Sequence, residues 1–295
     1  MKAKILIAYF LIYVVWGSTY FVIGQAIREL PPFLLGAFRF STAGLLLFSY
    51  CLLRGEKVYK HTLIRKSLIT GILLLFVDLT VIMFAQRYLS SSLVAIIASS
   101  TAIWIMAFDF PQWKINFRRP LFVAGIIIGF LGVIMLYIEQ LSGTSFGKRG
   151  EIGVIILVFG CISWALGTLY AKYCSSKAEE VDDFAGSAWQ MMFAGLMFWI
   201  CTVCSGEIKT VELSQIAMDT WFELLYLIFF GTILGYSAYV WLLKVRPAAE
   251  VGTHAYVNPF VAVFLGTMLG GEQVTLVQIA GLIVILGSVA LVGRK

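Results

Sequence analysis

Ten apolar runs of about 20 residues each, separated by short connections, restrict the possible folds of this sequence more than any other feature. A helix needs roughly 20 apolar residues to cross a hydrocarbon core of about 30 Å. Inside lipid every backbone polar group must be hydrogen-bonded internally, and a helix achieves this within a single segment. We therefore predict ten transmembrane helices, at residues 5–27, 33–53, 67–87, 91–110, 121–139, 152–172, 185–204, 220–243, 250–270 and 273–293.

Composition agrees with this interpretation and excludes a soluble domain. Hydrophobic residues make up 60% of the 295 residues and charged residues 13%, and the mean hydropathy is +0.92. Soluble domains contain about 45–50% apolar and about 25% charged residues. The sequence thus predicts an all-α integral membrane protein that crosses the cell membrane many times.

The formal net charge of +6 reflects membrane topology, because Lys and Arg are dispersed between the apolar runs and form no cluster that would bind nucleic acid. Cytoplasmic loops of membrane proteins retain Lys and Arg. Of the 22 Lys and Arg residues, 16 lie on the side of the two termini, five lie on the other side, and Arg39 lies inside a run. Both termini are therefore predicted to be cytoplasmic.

The longest predicted outer connection, residues 140–151, divides the ten runs into five and five. We predict a first five-helix repeat at residues 1–139 and a second at residues 152–295. An odd number of spans in each half makes the second repeat enter the membrane from the opposite side, so the repeats are inverted. Echoes at offsets of 148 to 156 residues support a duplication: Trp16 with Trp164, Arg39-Phe-Ser-Thr-Ala-Gly44 with Gln190-Met-Met-Phe-Ala-Gly195, and Ala124-Gly125 with Ala280-Gly281.

The ninth run contains a candidate binding point. Pro259 has no N–H, so the carbonyl of Ala255 loses its helical donor, and Asn258 adds a side-chain amide beside it. Broken membrane helices hold polar substrates near the midplane of many transporters. The alternative is a proline kink that neighbouring helices compensate. We expect a break at Asn258-Pro259 and assign Asn258 to the cavity.

Two ionisable residues lie within apolar runs, where a charge is costly. Asp78 is near the middle of the third run, and it is the first candidate for coupling transport to protons. A buried pair or a hydrogen bond to Thr80 is the alternative for Asp78. Arg39 lies about 9 Å from the outer end of its helix, so it either reaches the interface or pairs with an acid or an anionic substrate.

Glu250 and His254 are four residues apart on one helical face near the cytoplasmic boundary. Two hypotheses explain these residues: they form a proton-sensitive gate, or they form a hydrogen-bonded pair at the membrane interface. Ser100 belongs to a hydroxyl cluster at mid-depth in the fourth run, although serine hydroxyls can also bond their own backbone.

Aromatic and polar side chains away from the helix ends complete the candidate cavity. A membrane-interface belt would place the aromatic residues at the ends. Core packing explains each residue alone, but as a group near polar residues they would suit an amphipathic or aromatic solute. The cavity candidates are Trp16, Ser18, Arg39, Ser100, Trp164, Gln190, Tyr236 and Asn258, and the coupling or gate candidates are Asp78, Glu250 and His254.

Short motifs recur along the whole chain in a specific order: Trp16-Gly-Ser-Thr-Tyr20, Pro31-Pro32, Arg39-Phe40, Ala43-Gly44, Asn258-Pro259, Glu272 and Gly281. In this order the chain resembles the ten-helix EamA-type permeases of the drug/metabolite transporter superfamily. The resemblance implies inverted five-helix repeats, a central cavity and alternating access in a bacterial inner membrane. Where the family often has Pro and Glu around the fourth helix, this chain has Ala102 or Ile103 and Asn116, which weakens the case for a break there.

The sequence thus predicts a secondary transporter, an exporter of small amphipathic solutes such as amino acids, metabolites or drugs. No P-loop sequence is present, so a gradient of protons or solute would supply the energy. No catalytic residue, metal site or cofactor is predicted, because the chain has only two histidines and His61 lies in a loop. A channel or a lipid translocase of the same architecture is the alternative.

Overall fold

The computed structural model describes residues 2–141, 150–174, 183–246 and 248–293. These residues form helices and short connections, without a strand among them. The longer helices are labelled in chain order, and shorter ones such as Trp113–Asn116 and Ala248–Val251 are left unlabelled. The labels are α1 Lys2–Ala26, α2 Pro32–Leu53, α3 His61–Ala85, α4 Ser91–Phe108, α5 Pro120–Leu141, α6 Gly150–Cys174, α7 Asp183–Ser205, α8 Met218–Val245, α9 His254–Met268 and α10 Leu276–Gly293.

Local sequence explains several helix starts. Pro32 is the first residue of α2, a position where the missing N–H of proline has no helical partner to lose. Ser90 precedes α4, and its hydroxyl accepts the N–H of Leu93 at 3.2 Å. Both helices begin within one residue of the predicted runs 33–53 and 91–110.

Seven helices of the described chain are long and apolar enough to cross a membrane: α1, α2, α3, α4, α6, α7 and α8. Within α5, α9 and α10 the apolar helices are shorter, at Pro120–Leu136, Val257–Met268 and Leu276–Ser288. The prediction of an all-helical membrane protein is confirmed. The number of ten spans and the orientation of the termini remain predictions.

Helix packing follows two long pairings and several shorter ones. Helix α2 packs along α7, and α5 packs along α10. Helix α1 packs against α8 and α9, while α6 packs against α3 and α4. Small residues permit the close approach between α2 and α7, because a Cβ on Gly44 would lie 2.9 Å from the backbone nitrogen of Met192 and one on Gly195 would lie 2.8 Å from that of Ser41.

Within the described residues, π-helical segments occur in three helices, at Leu11–Val15 in α1, Gly71–Val77 in α3 and Leu227–Leu234 in α8. A π segment changes the backbone hydrogen-bond register and releases carbonyl groups to other donors. Side chains of neighbouring helices donate hydrogen bonds to two of these carbonyls. Trp16 Nε1 donates to Gly231 O at 2.8 Å, and Ser163 Oγ donates to Leu73 O at 2.7 Å.

The interruption near α9 differs from the expected position. Pro259 lies inside α9, and the chain is interrupted earlier, at Gly252 and Thr253, after the short helix Ala248–Val251. At the interruption the backbone bonds shorten to i+3 spacing, from Thr253 N–H to Glu250 O at 3.3 Å and from Ala255 N–H to Gly252 O at 3.1 Å. Pro259, in contrast, removes only one bond from the helix that restarts at His254. The ninth run is therefore interrupted about one and a half turns before Asn258.

Helix α4 is also interrupted, at Ser99 and Ser100, although it contains no proline. Ser99 Oγ donates to Ile96 O at 2.6 Å, and the N–H of Ser99 is shared between the carbonyls of Ala95 and Ile96. Hydroxyl groups that bond their own backbone compete with the regular ladder. The absence of proline had weakened the prediction of a break in the fourth helix. The structure shows a break there, and it is produced by Ser99 and Ser100.

Candidate functional site

A cavity lies among α1, α2, α3, α4, α6, α8 and α9. Its empty volume is about 820 Å³, including the part that is open to solvent. Its walls are mixed, with apolar side chains such as Ile23, Leu75 and Leu157 and a set of polar ones. The lining side chains that contain a nitrogen or oxygen atom are Trp16, Thr19, Tyr20, Arg39, Asp78, Ser99, Thr101, Trp164, Thr232, Tyr236, His254 and Asn258.

Arg39 is 5% exposed and reaches the cavity from α2. Its Nε donates to Thr232 Oγ1 at 2.6 Å, and its guanidinium carbon lies 5.1 Å from the ring centre of Phe40. Thr232 in turn donates to Leu227 O, five residues earlier in the π segment of α8, at 2.8 Å. Within the described chain Arg39 forms no ion pair, and its Nη1 has no hydrogen-bond partner.

Asp78 is 7% exposed and enters the cavity from α3, directly after the π segment of that helix. Gly160 on α6 lies beside Asp78, because a Cβ at residue 160 would be 3.4 Å from Asp78 Oδ1, an ordinary contact distance. Among the described residues no side chain forms an ion pair with Asp78. The cavity therefore contains two ionisable groups, Arg39 and Asp78, that form no ion pair with each other. Burial of an unpaired ionised group is costly.

Four rings pack together at one side of the cavity, and three of them, Trp16, Trp164 and His254, line it. Trp16 lies 5.5 Å from Trp164, 5.2 Å from Tyr239 and 5.3 Å from His254, measured between ring centroids. Tyr239 OH lies 2.6 Å from Thr168 Oγ1. The rings come from α1, α6, α8 and α9, so this aromatic cluster joins four helices at one place.

Asn258 connects α9 to α1. With its NH₂ group directed toward α1, the amide nitrogen lies 2.8 Å from Tyr13 O and 2.9 Å from Ile12 O. Both carbonyls belong to the π segment of α1, which explains why they are available. His254 Nδ1 lies 2.9 Å from Val251 O, in the turn before α9. The polar groups of the ninth run therefore hold helices together as well as lining the cavity.

Seven of the candidate residues from the sequence line this one cavity: Trp16, Arg39, Asp78, Trp164, Tyr236, His254 and Asn258. Ser100 lies between two lining residues and is fully buried without lining the cavity itself. The remaining three candidates, Ser18, Gln190 and Glu250, lie outside this cavity.

Ser18 donates to Val15 O at 2.7 Å and lies 2.6 Å from Tyr226 OH, on the side of α1 that faces α8. Gln190 donates to Thr70 Oγ1 at 2.6 Å, at the contact between α7 and α3. Glu250 is exposed, lies 3.7 Å from Arg246 and does not line the cavity, whereas His254 is buried and does.

Thr232 was not identified from the sequence, although it is the direct partner of Arg39. It is the only hydroxyl residue in the apolar segment Leu227–Leu234. A repeat alignment could have found it, because Thr232 lies 154 residues after Asp78, within the range of offsets between matched positions.

Three glutamates in connections between helices accept hydrogen bonds at the start of another helix. Glu272 accepts the N–H and hydroxyl groups of Ser91 and Ser92 at the start of α4, at 2.5 to 3.0 Å. Glu207 accepts the N–H of Leu34 in α2 at 3.0 Å. Glu29 accepts the N–H of Ala217, just before α8, at 2.8 Å. Helix N-termini favour such carboxylates.

The EamA-like transporter family matches the chain twice, at residues 3–138 and at residues 151–294. The chain belongs to the EamA-like transporter family. The resemblance predicted from the motifs is confirmed, and this EamA-like chain is a membrane transporter. It is a multi-pass protein of the bacterial inner membrane, in agreement with its relatives and its apolar helices.

Its curated relatives include "Uncharacterized inner membrane transporter YedA" of Escherichia coli K12, which is 34% identical over 97% of this chain and 89% of the relative. "Probable amino-acid metabolite efflux pump" of Salmonella typhimurium is 26% identical over 94% of this chain and 90% of that protein. A solved structure described only as "Crystal structure of protein" is 16% identical, with a TM-score of 0.68 over 99% of this chain and 97% of that chain. At that identity the likeness concerns the fold alone.

Proposed function

We propose that this EamA-like transporter exports small amphipathic solutes by alternating access around the cavity between α1, α3, α6 and α8. The observation that carries the proposal is the buried pair of uncompensated ionisable groups, Arg39 and Asp78, in one cavity of a membrane transporter. Charged groups at membrane depth are expensive and commonly mark a substrate or ion pathway.

The proposal includes ten spans arranged as two inverted repeats, residues 1–139 and 152–295, with 140–151 between them. Three observations support the duplication. The same family matches each half separately. The packing of α1 on α9 corresponds to that of α6 on α4, while α2 pairs with α7 and α5 pairs with α10. Both α3 and α8 contain a π segment, and interruptions occur in α4 and before α9.

The proposed orientation puts both termini in the cytoplasm, supported by the bias of Lys and Arg toward that side. In this orientation the aromatic cluster of Trp16, Trp164, Tyr239 and His254 lies toward the cytoplasmic end of the cavity. Glu272 and its serine partners then lie at the outer face. Rocking of one repeat against the other would open these two closures in turn.

Export of a small solute is supported by the walls of the cavity and by the name of a relative. Trp16, Trp164 and Phe40 offer ring surface, while Arg39, Asp78 and Asn258 offer polar groups. This combination suits a solute with an apolar body and a polar end. The Salmonella typhimurium relative is named as a probable amino-acid metabolite efflux pump. We propose amino acids, metabolites and drugs as the candidate solutes of this chain.

Protons are the proposed coupling ion, with Asp78 as the coupling residue and His254 as a gate residue. Asp78 has no fixed counter-charge among the described residues, so proton binding would change the charge of the cavity by a full unit. Such a change shifts the balance between two conformations if the charge is more favourably solvated in one of them than in the other.

Transport in proteoliposomes tests the function. Purified protein would be reconstituted and assayed with labelled amino acids, nucleosides and cationic drugs, with and without a pH gradient. Saturable movement that depends on the gradient supports a proton-coupled exporter. Movement of labelled lipid, or flux that does not saturate, would favour the translocase or channel instead.

A further inference from the structure

We propose that Arg39 and Thr232 form an anion subsite, so that the solutes of this transporter carry a carboxylate group on a small apolar or aromatic body. The inference rests on the proposed transport function and specifies the chemical class of the solute. It assigns Arg39 to direct contact with the solute and Thr232 to positioning of Arg39.

The guanidinium of Arg39 is buried without a counter-ion in the part of the chain that the structure describes. Arginine keeps its positive charge in proteins, and buried charges are normally paired. Its Nη1 is fully buried and has no hydrogen-bond partner, although Arg39 lines the cavity. An anion that enters the cavity would supply the missing partner.

The hydrogen bond to Thr232 determines how the guanidinium is presented. Thr232 accepts from Nε at 2.6 Å and is itself held by Leu227 O at 2.8 Å, so its oxygen has a fixed direction. With Nε engaged, the two Nη groups remain for a ligand. Parallel N–H donors of arginine match the two oxygens of a carboxylate.

The π segment of α8 creates the space for this arrangement. Thr232 bonds the carbonyl five residues back, which is the register of a π-helix, and Gly231 precedes it. A Cβ on Gly231 would lie 3.2 Å from Arg39 Nη2, closer than most side-chain contacts. Glycine at 231 therefore leaves the guanidinium face open.

The surroundings select against a second negative charge. Asp78 lines the same cavity from α3, and its carboxylate would repel a dianionic solute. Apolar and ring groups occupy the rest of the walls, including Phe40 beside Arg39 and Trp16 on α1. A monocarboxylate with an apolar or aromatic body fits these walls best, and an ammonium group on the same solute would be tolerated beside Asp78.

Calorimetric titration of the purified full-length protein with four matched probes tests the subsite. The probes are phenylalanine, 3-phenylpropionate, 3-phenylpropanamide and phenethylamine, which share the ring and differ in charge. The expected result is at least tenfold tighter binding of the two carboxylates than of the amide. Equal binding of 3-phenylpropionate and 3-phenylpropanamide would overturn the proposal.

Variants assign the preference to the two residues. Arg39→Gln should lose at least tenfold in affinity for the carboxylates and should not weaken phenethylamine binding, because it removes a like charge from the cavity. Thr232→Val should weaken carboxylate binding about threefold to tenfold, because the charge remains but its orientation is lost, and Thr232→Ser should restore it. Arg54→Gln, at the exposed end of α2, is the matched control and should change nothing.

If Arg39→Gln does not fold, the Thr232→Val and Thr232→Ser pair decides the assignment, because the serine variant rescues only a hydroxyl-dependent role. Carboxylate affinity that is unchanged in Thr232→Val would overturn the positioning role. Should phenethylamine be bound and transported while the carboxylates are not, the subsite would be wrong and the export function would stand. If no probe binds and the reconstituted protein moves no solute, both proposals fail.

Discussion

Glu272 and Ser92 form a two-point contact: the carboxylate Oε2 accepts both the backbone N–H of Ser92 at 3.0 Å and its hydroxyl at 2.5 Å. Gly271, with a φ of 63°, turns the chain after α9 so that Glu272 faces the start of α4. A Cβ on Gly266 would lie 2.5 Å from Glu272 Oε2. Because Gly266 has no side chain, the carboxylate of Glu272 can lie against α9. The contact fastens the connection between α9 and α10 to the fourth helix.

Glu272→Gln should destabilise the protein, because a neutral amide replaces charge-assisted bonds at a helix N-terminus. We expect a loss of about 1–2 kcal/mol in the free energy of unfolding. Thermal unfolding in detergent measures the effect. Glu212→Gln is the matched control, because Glu212 is exposed and should tolerate the change. An unchanged melting temperature for Glu272→Gln would contradict the role of this contact.

Gly195→Ala should destabilise the contact between α2 and α7. The new Cβ would lie 2.7 Å from Ser41 Oγ and 2.8 Å from the backbone nitrogen of Ser41, and backbone atoms cannot move aside cheaply. Overpacking of this kind costs typically about 1–3 kcal/mol. Gly287→Ala on α10 is the control, because nothing lies within 4 Å of its added Cβ. Melting temperatures should fall for the first variant and stay equal or rise for the second.

Asp78→Asn should remove the response of transport to a pH gradient while leaving the fold intact. The asparagine cannot ionise, and the carboxylate forms no ion pair in the described part of the chain that the change would break. We expect gradient-driven uptake into proteoliposomes to fall about tenfold, to the rate without a gradient. Asp219→Asn, at an exposed position near the start of α8, should transport like the wild type. An unchanged pH response in Asp78→Asn would exclude this coupling role.

Glu207 should make stability depend on pH. Partial burial raises the pKa of its carboxyl above the usual value, despite the opposing N–H groups of Leu34 and Phe33 and the charge of Arg87. A folded pKa above the unfolded one means that the folded protein binds the proton more tightly. The stability from this group is then present below the unfolded pKa and is lost as the pH rises through the folded pKa.

Glu207→Gln should therefore unfold at a higher temperature than the wild type near pH 7.5, with a difference that shrinks toward pH 4. Because the carboxyl is partly exposed, the stabilisation should stay below about 1 kcal/mol. Melting curves of the wild type and of Glu207→Gln from pH 8 to pH 4 in one detergent test this. A difference that grows as the pH falls would contradict the sign.

Much of the fold and part of the site were predictable from the residues alone. Arg39, Asp78 and Asn258 were recognisable because polar groups stand out in runs that lipid requires to be apolar. Trp16 and Trp164 were recognisable as matched positions of the two halves. Ser18 and Gln190 looked equally suitable, yet they bond Tyr226 and Thr70 at contacts between helices.

The amino-acid sequence by itself determined that this chain is a helical membrane protein, because hydrophobic run length and the absence of water in lipid leave few alternatives. Only the tertiary structure decided which polar side chains share the cavity. Rotation of each helix about its axis depends on close glycine contacts and on the π segments of α1, α3 and α8, and such segments have no simple residue pattern. Thr232 became the partner of Arg39 through packing between distant helices, which local sequence does not encode.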